Sequence, residues 1–147
     1  MNIRTASPED HPALLTLWEQ SVRATHAFLS EDDIQALIPV VRDQTLPALE
    51  VWLLSDEPGT AVGFMGLDNN KFEALFISPA CFRKGYGKVL LEHARKLKGK
   101  LQVDVNEQNP KAVAFYLNNG FIVAGRSPTD SQGRPFPLLH LREGLAA

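Results

Sequence analysis

Within residues 72–91, FEALFISPACFRKGYGKVLL, the chain changes character twice. It begins as a strand: Phe72, Ala74, Leu75, Phe76 and Ile77 are apolar or small and rich in strand formers. Ser78-Pro79 stops it, because proline cannot extend a sheet ladder. A basic turn follows with Arg83, Lys84, Gly85, Gly87 and Lys88, after which Val89, Leu90, Leu91, Ala94 and Leu97 recur at helical spacing. The first N–H groups of a helix lack internal partners, and its dipole favours negative charge there. A strand feeding a glycine turn at a helix start is therefore suited to an anion, and the cations Arg83, Lys84 and Lys88 point the same way. The segment reads as a phosphate site or as an ordinary strand–turn–helix with solvated lysines.

Of two common phosphate motifs, one fails here and the other matches only weakly and incompletely. A P-loop requires G-x-x-x-x-G-K-[ST], but Phe82 stands at the first glycine and Val89 at the hydroxyl position. A dinucleotide fingerprint requires G-x-G-x-x-G. Gly85 and Gly87 supply two glycines, and Leu90 takes the place of the third.

The remaining composition bounds the function. A chain of 147 residues with 44% hydrophobic and 22% charged residues suits one globular domain spanning 1–147. The net charge of −2 gives no global field favouring nucleic acid, so no nucleic-acid partner is expected and the basic turn reads as a local site. No apolar run approaches the ~20 residues of a membrane span, and Met1-Asn2-Ile3-Arg4 shows no signal-peptide pattern. With one cysteine, Cys81, an internal disulfide is impossible, which suits a reducing cytoplasm. No Cys/His spacing resembles a metal site.

Elsewhere the sequence predicts a strand over 2–6 and a helix introduced by Ser7-Pro8, with Leu14, Leu15, Trp18 and Val22 on one face. A second helix starts at Ser30 and is interrupted by Pro39. Strands over 49–54 and 61–67 form an antiparallel meander with the strand of 72–77, through turns at 56–59 and 68–70. Gly63 and Gly66 are candidate bulge positions. A helix over 88–98 ends at Gly99, and a strand follows over 101–105. Asn109 and Pro110 open a helix that Gly120 ends. Strands near 122–124 and 136–141 complete seven.

Strand, Ser-Pro, basic turn, G-x-G and helix together resemble the acetyl-CoA signature R/Q-x-x-G-x-G/A of the GNAT N-acetyltransferases. A second block is present: Asn109-Pro-Lys-Ala-Val-Ala-Phe115-Tyr116 followed by Gly120-Phe121 is similar to N-x-x-A-x-x-F-Y-x-x-x-G-F. ATHAFL near the start, ALFI in the central strand and VNEQN before the second block resemble small single-domain bacterial members. Phe82 departs from the pattern, since the family usually has Arg or Gln there and Arg83 comes one residue later.

The resemblance implies an α/β (α+β) GNAT fold. Its seven-stranded sheet would be mixed and mostly antiparallel, with strands four and five parallel and splayed and about four helices flanking. It implies transfer of acetyl from acetyl-CoA directly to an amine, with no metal, in a monomer or homodimer. Backbone at Phe76 and Ile77 would hold the pantetheine arm as an added strand. The amides of Arg83, Lys84, Gly85, Tyr86, Gly87 and Lys88 would hold the pyrophosphate. Asn109 would contact the arm as well as cap its helix. Tyr116 takes the family's general-acid position; a phenol titrating near pH ~10 keeps a proton to donate. Glu73 and Asp104 are the candidate general bases, with water the alternative. His26 and Phe28 would form an acceptor wall, or else a packed linker. Glu31, Asp32, Asp33 and Asp130 could attract a cationic amine or serve only as helix-start and loop residues. An acyl-CoA-binding sensor without turnover is the competing reading.

Overall fold

The computed structural model describes residues 2–56 and 59–144. Of the turn expected at 56–59, Glu57 and Pro58 lie outside the described residues. Its ends are closed by Asp56, whose N–H donates to Thr60 O at 3.0 Å and whose carboxylate accepts from Thr60 N at 3.0 Å.

Strand β1 (Asn2–Thr5) leads through a short 3-10 turn into helix α1 (His11–Thr25). Ser7 opens that turn in a capping box with Asp10, as Ser-Pro-Glu-Asp predicts. Helix α2 (Glu31–Val40) starts at Ser30, whose hydroxyl accepts from Asp33 N at 3.0 Å. Pro39 does not end it. The helix runs on to Val40, widens into a π turn over Val41–Thr45 and closes with the single turn α3 (Leu46–Ala48). Strands β2 (Glu50–Ser55), β3 (Ala61–Asp68) and β4 (Lys71–Ile77) follow as the expected antiparallel meander. Helix α4 (Tyr86–Lys98), strand β5 (Gln102–Asn106), helix α5 (Pro110–Leu117) and strands β6 (Phe121–Ser127) and β7 (Leu138–Glu143) complete the chain.

The sheet has seven strands in the order β1-β2-β3-β4-β5-β7-β6. Only β4 and β5 pair in parallel, with α4 as the crossover that a parallel connection requires. Helices cover both faces. On one side Leu14, Leu17, Trp18 and Val22 of α1 pack on Leu53 and Phe64. Leu17 takes the buried place that the sequence pattern gave to Leu15, which is only half-buried. On the other side Leu90, Leu91 and Ala94 of α4 meet Leu54, Met65, Phe72 and Val103. Burying each such large side chain contributes about 1.5–3 kcal/mol relative to leaving it exposed. No described helix is long and apolar enough to cross a membrane.

Strands β4 and β5 stay together only at Lys71↔Gln102 and Phe72↔Val103. The cause lies on the other edge of β4. There Leu67 pairs with Phe72 and Gly66 with Ala74, so Glu73 is an extra residue, a β-bulge. A bulge bends its strand and increases the local twist. It also shifts the side-chain phase: Phe72 and Leu75, three residues apart, pack into the same core layer, while Phe76 goes to the other. Gly66 was a candidate bulge position. It sits opposite the bulge, and the inserted residue is on β4. Beyond Phe72 the two strands part, and β5 pairs along its length with β7 instead.

Candidate active site

Two walls of the site meet at the C-terminal ends of β4 and β5. The first is the turn entering α4. Gly85 is the N-cap, with φ +79°, a left-handed conformation that favours glycine. The helix thus begins at Tyr86, two residues before the position its apolar spacing suggested. Val89 N is the first amide to reach back, donating to Gly85 O at 3.1 Å. Among the described residues the N–H groups of Arg83 through Lys88 donate to no protein acceptor. The side chains of Arg83, Lys84 and Lys88 form no ion pair among the described residues. A left-handed turn of free amides at a helix N-terminus, ringed by cations, suits a pyrophosphate.

The second wall is the wedge itself. A cavity of about 490 Å³ runs from the turn along β4 to α5. Of the sequence's candidates, Phe76, Ile77, Arg83, Gly85, Tyr86, Gly87, Lys88, Asn109, Tyr116 and His26 line it, and so do Cys81, Phe82, Lys111 and Phe115. Lys84 lines neither it nor the smaller space described below. Cys81 is a half-buried free thiol of the wall. Lys111 and Phe115 belong to the Asn109–Tyr116 block and could have been suspected from it. Their place depends on α5 docking against α4, where a Cβ added at Gly87 would stand 3.4 Å from the Phe115 ring.

A smaller space of about 140 Å³ fills the gap between β4 and β5. Glu73, Asp104, Asn106, Asn109, Tyr116 and His26 all border it. Tyr116 is buried, with its ring held edge-on by Phe72, Phe115 and Phe121 at centroid distances of 6.3, 5.2 and 5.4 Å. The residue lines both spaces, and its hydroxyl has no protein partner among the described residues. Burial raises the phenol's pKa well above its ordinary value, which keeps the proton on it. Asn109 caps α5 through Oδ1, which accepts from Ala112 N at 3.2 Å.

Both candidate bases reach the gap, and both are engaged. Lys71 Nζ lies 3.1 Å from Glu73 Oε1 and 2.9 Å from Asp104 Oδ2. Asp104 Oδ1 is 2.6 Å from His140 Nδ1, and His140 Nε2 is 2.6 Å from Ser127 Oγ. Burial pushes the Asp104 carboxyl up, but its bonds to His140 and Lys71 outweigh that and hold it below the usual range. Ser127 and His140 line neither space, so this chain of bonds anchors Asp104 from behind. Phe28 also lines neither. It meets His26 at a tilted 5.3 Å and Phe136 of the β6–β7 loop at 5.9 Å, so the two loops touch each other beside His26. Glu31 pairs with Arg23, Asp33 caps α2, and Asp130 accepts from Gln132 N and Arg134 N. None of Glu31, Asp32, Asp33 and Asp130 borders either space. Among the described residues no group of three His, Cys, Asp or Glu side chains is placed to hold a metal ion.

A family model described as the acetyltransferase (GNAT) domain matches residues 47–123. Peptidyl-lysine N-acetyltransferase YjaB of Salmonella typhimurium is 43% identical over 96% of this chain and 97% of its own length. The solved apo form of YjaB from Escherichia coli has a TM-score of 0.90 at 42% identity, covering 99% of this chain and 98% of that one. PaiA N-acetyltransferase from Thermoplasma acidophilum, solved with coenzyme A, has a TM-score of 0.75 at 25% identity and 98% coverage of both chains. With seven strands, a parallel pair that parts, and a turn of free amides beside the split, the chain belongs to the GNAT acetyltransferases and is an acetyl-CoA-dependent N-acetyltransferase.

Proposed function

We propose that the acceptor is the ε-amine of a lysine in a peptide or protein, and that Tyr116 is the general acid. The observation that carries this reading is the narrow gap between β4 and β5, which Tyr116, His26, Glu73 and Asp104 border together. A space of about 140 Å³ has room for an unbranched alkylamine. The relatives named as peptidyl-lysine N-acetyltransferases support the same acceptor.

Acetyl-CoA supplies the acyl group as a thioester. The amides of 83–88, with Arg83 and Lys88, hold its pyrophosphate. The unpaired edge of β4 at Phe76 and Ile77 offers strand-like partners to the amides of the pantetheine arm. Attack forms an N–C bond and breaks the C–S bond. The ammonium has lost one proton to solvent beforehand, and the new amide nitrogen loses another. Tyr116 gives its hydroxyl proton to the departing sulfur and recovers one from solvent. Asp104, held ionised by His140 and Lys71, and Glu73, paired with Lys71, keep the gap negative. In this reading they attract the lysine rather than carry its proton.

The test is release of CoA thiol with a lysine peptide, set against polyamines and small amines. Tyr116→Phe keeps the buried ring and removes only the hydroxyl. It should lower kcat about 100-fold or more while acetyl-CoA still binds. Full activity of that variant would remove Tyr116 from the mechanism. Tight binding without turnover on any amine would overturn the acceptor assignment.

A further inference from the structure

Holding the thioester uses the turn, β4 and α5, but not the side chain of His26. Its imidazole sits where α1 ends and borders both the cavity and the gap. The ring is fixed against Phe28 at 5.3 Å and Phe76 at 6.4 Å. Its Nδ1 lies 2.7 Å from Thr25 Oγ1, and the same hydroxyl lies 2.8 Å from the main-chain oxygen of Ser21.

These two distances determine where the proton is. A carbonyl oxygen can only accept, so the single proton of the Thr25 hydroxyl goes to Ser21 O. Thr25 Oγ1 then has only lone pairs to offer His26, and Nδ1 must be the protonated nitrogen. A neutral imidazole carries one N–H, so Nε2 is a bare acceptor. It has no partner among the described residues, and it is not sealed off. Among those residues the buried side-chain nitrogen without a partner is His93 Nε2, elsewhere in the fold. Burial pushes the His26 pKa down to about 4, so the ring is neutral at neutral pH. The charged groups sharing its two spaces are Glu73 of β4, Asp104 of β5, Lys111 of α5, and Arg83 and Lys88 at the start of α4.

We infer that His26 Nε2 receives the acceptor amine, taking a hydrogen bond from its N–H and so turning the nitrogen lone pair toward the thioester carbon. The inference rests on the amine-acceptor reading above. Its chemistry follows from the amine. A neutral primary amine has one lone pair and two N–H bonds. A donor in the gap would occupy the lone pair and suppress attack, whereas an acceptor fixes an N–H and leaves the lone pair free. Asp104 is held by Lys71 and His140 and Glu73 Oε1 by Lys71, whereas His26 Nε2 is a neutral acceptor with no partner among the described residues. The Thr25 hydroxyl keeps it in that state by denying it the other tautomer.

The test compares three variants with the parent. His26→Phe keeps a ring without an acceptor, His26→Gln restores an acceptor oxygen, and Thr25→Val removes the lock. For a lysine peptide, His26→Phe should lower kcat/KM about 30-fold or more, with the Kd of acetyl-CoA changed less than about 2-fold. His26→Gln should stay within about 5-fold of the parent. Thermal unfolding confirms that each variant is folded. Unchanged kcat/KM in His26→Phe, or an equal loss in acetyl-CoA binding, overturns the inference. A readout independent of turnover is the long-range ¹H–¹⁵N spectrum of the ring at neutral pH. It should show Nδ1 protonated and Nε2 bare in the parent, and a shift toward the other tautomer in Thr25→Val. An Nε2-protonated parent overturns the inference whatever the acceptor. If the parent turns over a polyamine and no peptide, the lysine assignment fails, and the same kinetic comparison on that amine judges His26.

Discussion

Tyr116 and His26 face the same narrow space, and burial keeps both uncharged. The phenol holds its proton because the phenolate would be stranded among Phe72, Phe115 and Phe121. The imidazole refuses a second proton for the same reason. The His26 shift has a consequence for stability. Its folded pKa of about 4 lies below the ordinary 6.5, so between those values the unfolded chain takes up a proton that the folded chain does not. Stability from this group is complete above pH 6.5 and is lost as pH falls toward 4. Urea unfolding at pH 7 and pH 4.5 should show the parent losing roughly 2 kcal/mol more than His26→Gln. Equal losses would mean that the ring is not buried as described. Sequence could name these residues as candidates, since both lie in recognisable blocks. It could not rank the bases: the ties from Lys71 to Glu73 and Asp104, and from His140 to Asp104, join separate strands.

At the scale of elements, the turn before α4 and the bulge in β4 do the positioning. Arg83 has φ +67°, a left-handed conformation that costs a residue with a Cβ about 1 kcal/mol. It is also one of the free cations over the amide cradle. The two effects are separable. Arg83→Gly should leave stability unchanged or raise it by up to about 1 kcal/mol, while weakening acetyl-CoA binding about 3- to 10-fold. Chemical denaturation and calorimetry check the two halves. Loss of stability would show that Arg83 supports the turn by contacts of its own. Element types were legible here because Ser-Pro, glycine and apolar spacing act locally. The helix start was misplaced because Gly85 caps α4 through backbone conformation, with no polar side chain to signal it. Pro39 misled for a related reason. Proline removes one i→i−4 bond but does not by itself end a helix, and here the chain stays helical to Val40 and continues into a π turn over 41–45.

For the whole molecule, the split sheet leaves an unpaired seam between β4 and β5. β4 carries the meander of β1–β3, and β5 carries β7 and β6, yet the two groups share a ladder only at Lys71↔Gln102 and Phe72↔Val103. Acetyl-CoA bound along that seam should stabilise the entire fold. At a concentration 100 times Kd the gain is about 2.7 kcal/mol, which for a domain of this size raises Tm by roughly 5–10 °C. ATP or NAD at the same concentration should give little shift. An equal shift with ATP would mean that the turn holds phosphate and the seam holds nothing.

The sequence alone determined the order of elements, the donor turn and the cap at Asn109, because each depends on residues within a few positions of one another. It also carried the family resemblance, through two blocks of adjacent residues. Tertiary structure decided the rest: where β4 parts from β5, which carboxylates are already paired, and which nitrogen of His26 is bare. Those outcomes depend on partners brought together from separate strands and helices, and on burial, which a linear pattern does not contain.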